Sequence, residues 1–183
     1  MVWQCNRKYG EKLHCDTPHL TEEWIQQAFI QAFNLLLEKK ERLLAELDSA
    51  LQALADTAVL DKEIIPLQVQ LGDILTDIQA LVKQNASTAQ DQKDYARQYD
   101  ELTAGYKVVK ERLDVLMAEK QERCVQQEKL RRFCGILRNT AMPLASFDAR
   151  LWCMAAESVT VYSMSRAVVH FSGGTRVEIA IDG

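Results

Sequence analysis

Residues 85–91, with the sequence NASTAQD, separate two stretches of helical sequence that mirror each other. Before this segment, apolar side chains recur at spacings of three and four residues, at Leu60, Ile64, Leu67, Leu71, Ile74, Ile78 and Leu81. After it, the same spacing connects Tyr95, Tyr99, Leu102, Tyr106, Val109, Leu113 and Leu116. Spacings of this kind form the apolar seam of a coiled coil.

Folding the chain at residues 85–91 brings the two apolar series together in antiparallel order. Leu81 then faces Tyr95 near the fold, and Leu60 faces Leu116 at the far end. In every pair the two residue numbers add to 176 or 177, which an in-register hairpin of helices requires. The pattern therefore predicts an antiparallel coiled-coil arm with its tip at residues 85–91.

The bulk composition is that of a folded protein without a membrane segment. Of 183 residues, 48% are hydrophobic and 26% are charged, and few are Gly or Pro. No apolar run approaches the roughly 20 residues that cross a bilayer, and no signal peptide is evident. Five cysteines, an odd number at irregular spacing, favour a reducing cytoplasm over a disulfide framework. The net charge of −4 argues against nucleic-acid binding by the whole surface.

The sequence around the arm predicts three long helices. Thr21 is a good N-cap for a first helix that runs to about Ala55. A break at Asp56 and Thr57 precedes a second helix over about residues 62–84. The third helix is predicted over about residues 90–139, and its seam becomes polar beyond residue 119.

Beyond Pro143 the pattern changes to a short helix followed by three β-rich runs. The helix is predicted near residues 147–156, and the strands near 159–162, 167–171 and 176–181. We therefore predict an α+β fold, mostly α, in which a long antiparallel coiled-coil hairpin is inserted in a small mixed domain closed by a C-terminal β-hairpin or meander. The mixed domain is assigned to residues 1–37 and 139–183, and the arm to 38–138.

Several segments together resemble the C-terminal region of a large serine recombinase, the family of serine integrases and transposon resolvases. Residues 3–5 (WQC) and 15–20 (CDTPHL) resemble the second half of its zinc β-ribbon. Residues 85–99, including DQKDY at 91–95, resemble the tip of its inserted coiled coil. Residues 147–152 (FDARLW), 157–163 (ESVTVYS) and 173–175 (GGT) resemble its closing helix and hairpin.

The resemblance implies a zinc site that this chain holds only in part. Cys5 and Cys15 would be half of a four-cysteine site, and the family's earlier cysteine pair and its catalytic serine domain have no counterpart here. Zinc is therefore expected in the intact parent protein and not in this chain alone. By spacing alone, the two cysteines are more typical of buried thiols, and His14 and His19 of surface histidines.

The resemblance also implies two partners, attachment-site DNA and the arms of other recombinase subunits. Arg7, Lys8 and Lys12 are the candidate phosphate-binding residues, although alone they are typical of a solvated loop. Candidate arm-contact residues lie at the tip: Ser87, Thr88, Gln90, Asp91, Lys93 and Asp94. No catalytic motif is evident, so we predict a non-enzymatic part of a recombinase without a small-molecule substrate.

Two further interpretations stay open at this stage. The chain is alternatively a free-standing coiled-coil adaptor that binds a protein and no DNA. A second basic cluster, Lys129, Arg131, Arg132 and Arg138, is more typical of a solvated helix face than of a phosphate-binding site.

Overall fold

The computed structural model describes residues 2–3, 19–89 and 91–180, the first two by their backbone alone. Within this part of the chain the fold is α+β and mostly helical, as predicted. The elements are β1 (Val2–Trp3), β2 (Leu20–Thr21), α1 (Glu22–Glu38), α2 (Lys40–Ala55), α3 (Ala58–Ser87), α4 (Gln92–Asn139), α5 (Ala149–Ala155), β3 (Ala156–Ser163), β4 (Arg166–Phe171) and β5 (Arg176–Ala180). No helix among them is long and apolar enough to cross a membrane.

The chain divides into two compact units, one inserted in the sequence of the other. The first consists of Met1–Ala53 and Gln127–Gly183, and the second of Leu54–Gln126. Both boundaries fall within helices, because α2 and α4 each contribute residues to both units. The assignment of function to residues 1–37 with 139–183, and to 38–138, stays a prediction.

An aromatic cluster forms the core of the first unit. Phe29 and Phe33 on α1 are fully buried, and both rings lie close to Phe171 of β4, with centroids 6.1 and 6.2 Å away. Trp152 of α5 packs edge-on against Phe29 at 5.1 Å, and Phe133 of α4 contacts Phe171 at 5.9 Å. Elements far apart in sequence therefore share one core.

The three C-terminal strands form an antiparallel meander in the order β3-β4-β5, with β4 in the centre. Ala167, Val169 and Phe171 alternate along β4 as buried residues, and Ile179 is their buried counterpart on β5. The turn between β4 and β5 needs Gly174, whose φ of 76° favours glycine. The meander predicted from the sequence is thus confirmed.

Side-chain hydrogen bonds to the backbone fix the start of α1 and the irregular segment that follows α4. The hydroxyl of Thr21 accepts a hydrogen bond from the backbone N–H of Trp24 at 3.2 Å, so the predicted N-cap is confirmed. The amide of Asn34 donates to the carbonyl of Leu144 at 3.1 Å and accepts from its N–H at 2.7 Å. This pair of bonds ties an irregular segment to α1.

The predicted continuous helix from Thr21 to Ala55 is wrong, because the chain breaks at Lys39. There ψ is 19°, well outside the α-helical range, and the Lys39 N–H bonds back to the carbonyl of Leu36 at 3.1 Å. Directly after the break, the Lys40 ammonium donates to the carbonyls of Arg138 at 3.2 Å and Thr140 at 3.0 Å. It thereby satisfies carbonyls that the end of α4 leaves without partners.

The second unit contains the predicted hairpin of α3 and α4. Leu60, Ile64, Leu113 and Leu116 form one buried cluster, which confirms two of the predicted pairs. The other predicted seam positions are buried or half-buried, apart from Tyr99, which is 38% exposed. Burial along each helix thus follows the predicted period of three and four residues.

The predicted break at Asp56 and Thr57 is confirmed, but α3 begins at Ala58, earlier than the expected start near residue 62. Pro66 lies within α3, beyond its first turn. The hydroxyl of Thr57 donates to the carboxylate of Asp61 at 2.8 Å, which fixes the restart of the helix.

Polar side chains of α4 take over where the apolar seam ends. Lys120 forms an ion pair with Asp61 at 2.6 Å. Arg123 donates to the carbonyl of Asp56 at 3.4 Å, in the gap between the helices. Lys120 and Arg123 occupy the next two seam positions after Leu116. The polar part of the α4 seam therefore lies opposite the break between α2 and α3.

Two adjacent isoleucines test the seam. Ile64 is 6% exposed and Ile65 is 58% exposed. We expect Ile64→Ala to lower the free energy of unfolding by about 2–4 kcal/mol, because it removes buried apolar contacts and leaves a cavity. Ile65→Ala is the matched control, with the same change of side chain and of helix propensity, and we expect less than about 0.5 kcal/mol. Equal losses in urea unfolding would contradict the seam.

Candidate interaction site at the hairpin tip

Ser87 and Thr88 cap the C-terminal end of α3. The Ser87 hydroxyl donates to the carbonyls of Lys83 at 3.1 Å and Gln84 at 3.2 Å. The N–H of Thr88, in extended conformation, also bonds to the Gln84 carbonyl, at 3.0 Å. These bonds satisfy carbonyls of the last helical turn, so Ser87 is engaged in ending the helix.

Asp91 has the corresponding role at the start of α4. Its carboxylate accepts a hydrogen bond from the N–H of Lys93 at 2.8 Å, and its carbonyl accepts from the N–H of Tyr95 at 3.0 Å. An acidic cap at this position also interacts favourably with the positive end of the helix dipole. One turn on, Asp94 forms an exposed ion pair with Arg97 at 3.2 Å.

A hydrogen bond across the tip joins the two helices. The side-chain amide of Gln92 donates to the side-chain oxygen of Asn85 at 3.1 Å. Neither residue was among those predicted to contact a partner. Their pairing could nevertheless have been predicted, because their residue numbers add to 177, as those of several apolar pairs do.

The predicted tip residues thus separate into two groups. Ser87, Asp91 and Asp94 hold the local structure together. Thr88 and Lys93 are exposed, and their side chains make no hydrogen bond or ion pair with the described residues. Gln90 lies outside the described residues. Thr88 and Lys93 are therefore the described tip side chains best placed to meet a partner.

Two tyrosines extend the accessible surface from the tip along α4. Tyr95 and Tyr99 stack with ring centroids 6.0 Å apart and an interplanar angle of 27°. Tyr95 is half-buried and Tyr99 is 38% exposed, although both occupy seam positions. The seam near the tip therefore leaves part of an aromatic surface in contact with solvent.

The residues predicted to bind metal and DNA lie outside the described residues. This applies to Cys5 and Cys15 and to Arg7, Lys8 and Lys12. Within residues 19–89 and 91–180, no three His, Cys, Asp or Glu side chains are grouped so as to hold a metal ion. The zinc and phosphate contacts implied by the family resemblance stay predictions.

The second basic cluster is largely neutralised by neighbouring acids. Arg138 binds both carboxylate oxygens of Asp48, at 2.6 and 2.8 Å. Lys129 pairs with Glu157, and Arg131 with Glu128, both at 3.5 Å. These ion pairs agree with the interpretation of a solvated helix face.

Two carboxylates with clearly lowered pKa values, Asp61 and Glu178, lie in ion pairs. Hydrogen bonds from Lys120 and Thr57 lower the pKa of Asp61. A hydrogen bond from Arg166 lowers the pKa of Glu178. Each shift stabilises a charge that already has a partner, so neither marks a proton-transfer site.

Comparisons with protein-family models, curated proteins and solved structures found no match for this chain. Function is therefore inferred from the residues and their geometry.

The Asp61–Lys120 pair predicts a pH-dependent stability. Because folding lowers the pKa of Asp61, the pair contributes stability above the ordinary aspartate pKa and loses it as the pH falls through the folded value. Asp61→Asn should therefore lower the melting temperature at about pH 7, and the difference from wild type should shrink towards about pH 2.5.

Asp77→Asn, at an exposed position on the same helix, is the control for this experiment. We expect it to change the melting temperature little at either pH. A deficit of Asp61→Asn that stayed constant over the whole pH range would show that the pair does not act through its charge.

Proposed function

We propose that the chain performs two roles of the C-terminal region of large serine recombinases: attachment-site DNA binding and subunit contact through a coiled-coil arm. It supplies no catalytic group for recombination and acts in the cytoplasm of a bacterial host. The main support is the hairpin itself. The apolar residues of its two helices are aligned in the sequence, from the pair Leu60 and Leu116 to the pair Leu81 and Tyr95. Its tip exposes polar side chains that make no bond within the described hairpin.

The tip chemistry is consistent with recognition of a second arm. The tip carries both charge signs within a short stretch, with Asp91, Lys93 and Asp94 all exposed. Charges of both signs on an exposed rim favour specificity and orientation over raw affinity. Such a contact suits subunits that must associate in one arrangement and later separate.

A second function is favoured by one specific observation. Arg131 and Arg138, two members of the basic cluster on α4, are held in ion pairs. Fewer free cations weaken the electrostatic term that dominates DNA binding. A coiled-coil adaptor without DNA binding is therefore the competing proposal.

Sedimentation analysis of the full chain tests the arm contact. We expect concentration-dependent self-association of the chain. Lys93→Glu should weaken it by about tenfold, because only acidic charges would then remain among residues 91–94 and two tips in contact would repel each other. Lys107→Glu, at an exposed position further along α4, is the matched control. Equal effects of the two reversals, or a monomer at all concentrations, would contradict a contact at the tip.

A salt series separates the two proposals. Using duplexes selected from a random-sequence pool, we expect the logarithm of the affinity to fall linearly with the logarithm of the salt concentration. Combined Arg7→Ala, Lys8→Ala and Lys12→Ala should reduce that slope by about two to three.

The control for the DNA experiment is the combination Lys129→Ala, Arg131→Ala and Arg132→Ala, which removes the same amount of charge from α4. It should change the slope less, because Lys129 and Arg131 are already paired with acids. Failure of the wild-type chain to select any duplex would favour the adaptor.

A further inference from the structure

A groove lies in the first unit between β5 and the junction of α1 with α2. Its volume is about 470 Å³, within the range of pockets that bind small ligands. It is lined on one side by Leu35, Leu36, Lys39, Arg42, Leu43 and Glu46, and on the other by residues 175–178. The surface formed by α1 and α2 therefore faces β5 across the groove.

Among the described strands, that side of β5 is an unpaired sheet edge. The order β3-β4-β5 leaves β5 with a single neighbour among the described strands. The N–H of Phe171 bonds to the carbonyl of Thr175 at 2.9 Å, and the register pairs Val169 with Val177. Hydrogen-bonded pairs alternate along an antiparallel ladder, so Arg176 and Glu178 direct their backbone N–H and C=O groups to the free edge. Such an edge is a template for another strand.

The acids of the groove are already neutralised. Glu46 accepts a hydrogen bond from Arg42 at 2.9 Å, and Glu178 accepts one from Arg166 at 2.6 Å. These pairs leave the remaining charges of the groove without an acidic counterpart.

The remaining charges of the groove are positive. Lys39 and Arg176 line it, and neither forms an ion pair with another described residue. Beside them, Leu35 is 38% exposed, and Leu43 is half-buried. The groove thus combines main-chain hydrogen-bonding groups, an apolar surface and an excess of positive charge.

The helices beside the edge favour a single extended segment over a second copy of this sheet. In each copy α1 packs against its own β5. Arg42 and Leu43 of α2 already line the space beside β5, so a second copy joined edge to edge would have to place its own helices next to them. An isolated strand carries no helix behind it and needs less room.

We propose that β5 and this groove bind an extended, acidic segment of a partner protein as a fourth strand of the sheet. The segment would bond through its main chain to Arg176 and Glu178, place apolar side chains beside Leu35, and direct carboxylates towards Lys39 and Arg176. Strand addition of this kind draws affinity from the main chain and specificity from alternate side chains. The site uses neither the hairpin tip nor DNA, so it goes beyond the proposed function.

The test uses the full chain and a labelled peptide of about ten residues in which Glu alternates with Val, a length that suits one strand. We expect saturable binding by fluorescence anisotropy and slower hydrogen exchange of the Arg176 and Glu178 amides when the peptide is bound. Two control peptides use the wild-type chain. One is N-methylated at alternate residues and loses main-chain bonding, and the other has Lys in place of Glu. Both should bind at least about tenfold more weakly.

Two variants at one position separate the edge from the charge. Arg176→Thr and Arg176→Pro both remove the guanidinium, but only proline also removes the N–H at the free edge, where it does not disturb pairing with β4. We expect the proline variant to bind about tenfold more weakly than the threonine variant. Melting temperatures confirm that both variants are folded.

Three results would overturn the proposal. The first is no binding of the acidic peptide at about 1 mM, the weak limit of specific binding. The second is equal binding of the N-methylated peptide, which would exclude strand addition. The third is a dimer of the chain that Arg176→Pro dissociates while the peptide has no effect, which would assign the edge to a second copy.

Discussion

The matching apolar stripes of α3 and α4 are the constraint on which the second unit depends. Long helices in water gain most of their stability from packing an apolar face, and here each helix offers only a narrow one. Burial of Ile64 against Leu113 and its neighbours requires the two helices to lie in one register. Once that register is set, it also decides which residues lie at the tip. The exposed Lys93 and the bonded pair Asn85 and Gln92 are consequences of the same alignment.

Polar contacts keep the register where the apolar stripe stops. Lys120 and Arg123 continue the seam positions of α4, and they reach Asp61 and the carbonyl of Asp56. Both side chains of the Lys120–Asp61 pair are more than a third exposed, so solvent screens much of their attraction. Such pairs add at most about 1 kcal/mol to stability. They do favour one alignment, because a shift of the helices would leave the charges without partners. The apolar seam therefore supplies the stability, and the polar extension supplies part of the specificity.

The sequence predicted features that repeat locally and missed those decided by distant contacts. The hairpin, the break at Asp56, the cap at Thr21 and the three strands all leave a periodic or residue-specific signal. Among the tip residues, the pattern indicated exposure but could not separate Asp91, whose side chain caps a helix, from Thr88, which ends α3 through its backbone N–H and keeps its side chain free of bonds to the described residues. That distinction requires the geometry of the helix ends. The pattern also could not predict that Tyr99, although it occupies a seam position, keeps 38% of its surface exposed.

The break at Lys39 shows most clearly why long-range contacts matter. No Gly or Pro marks it, and the charged run EKKER at residues 38–42 consists of good helix formers, so local sequence predicts one helix. Lys40 binds carbonyls roughly a hundred residues away in sequence, which only the folded chain brings near. The same break divides one helical surface into two, and Lys39 together with Arg42 then lines the groove beside β5. The feature that the sequence did not reveal is thus the one that builds a second candidate interaction surface.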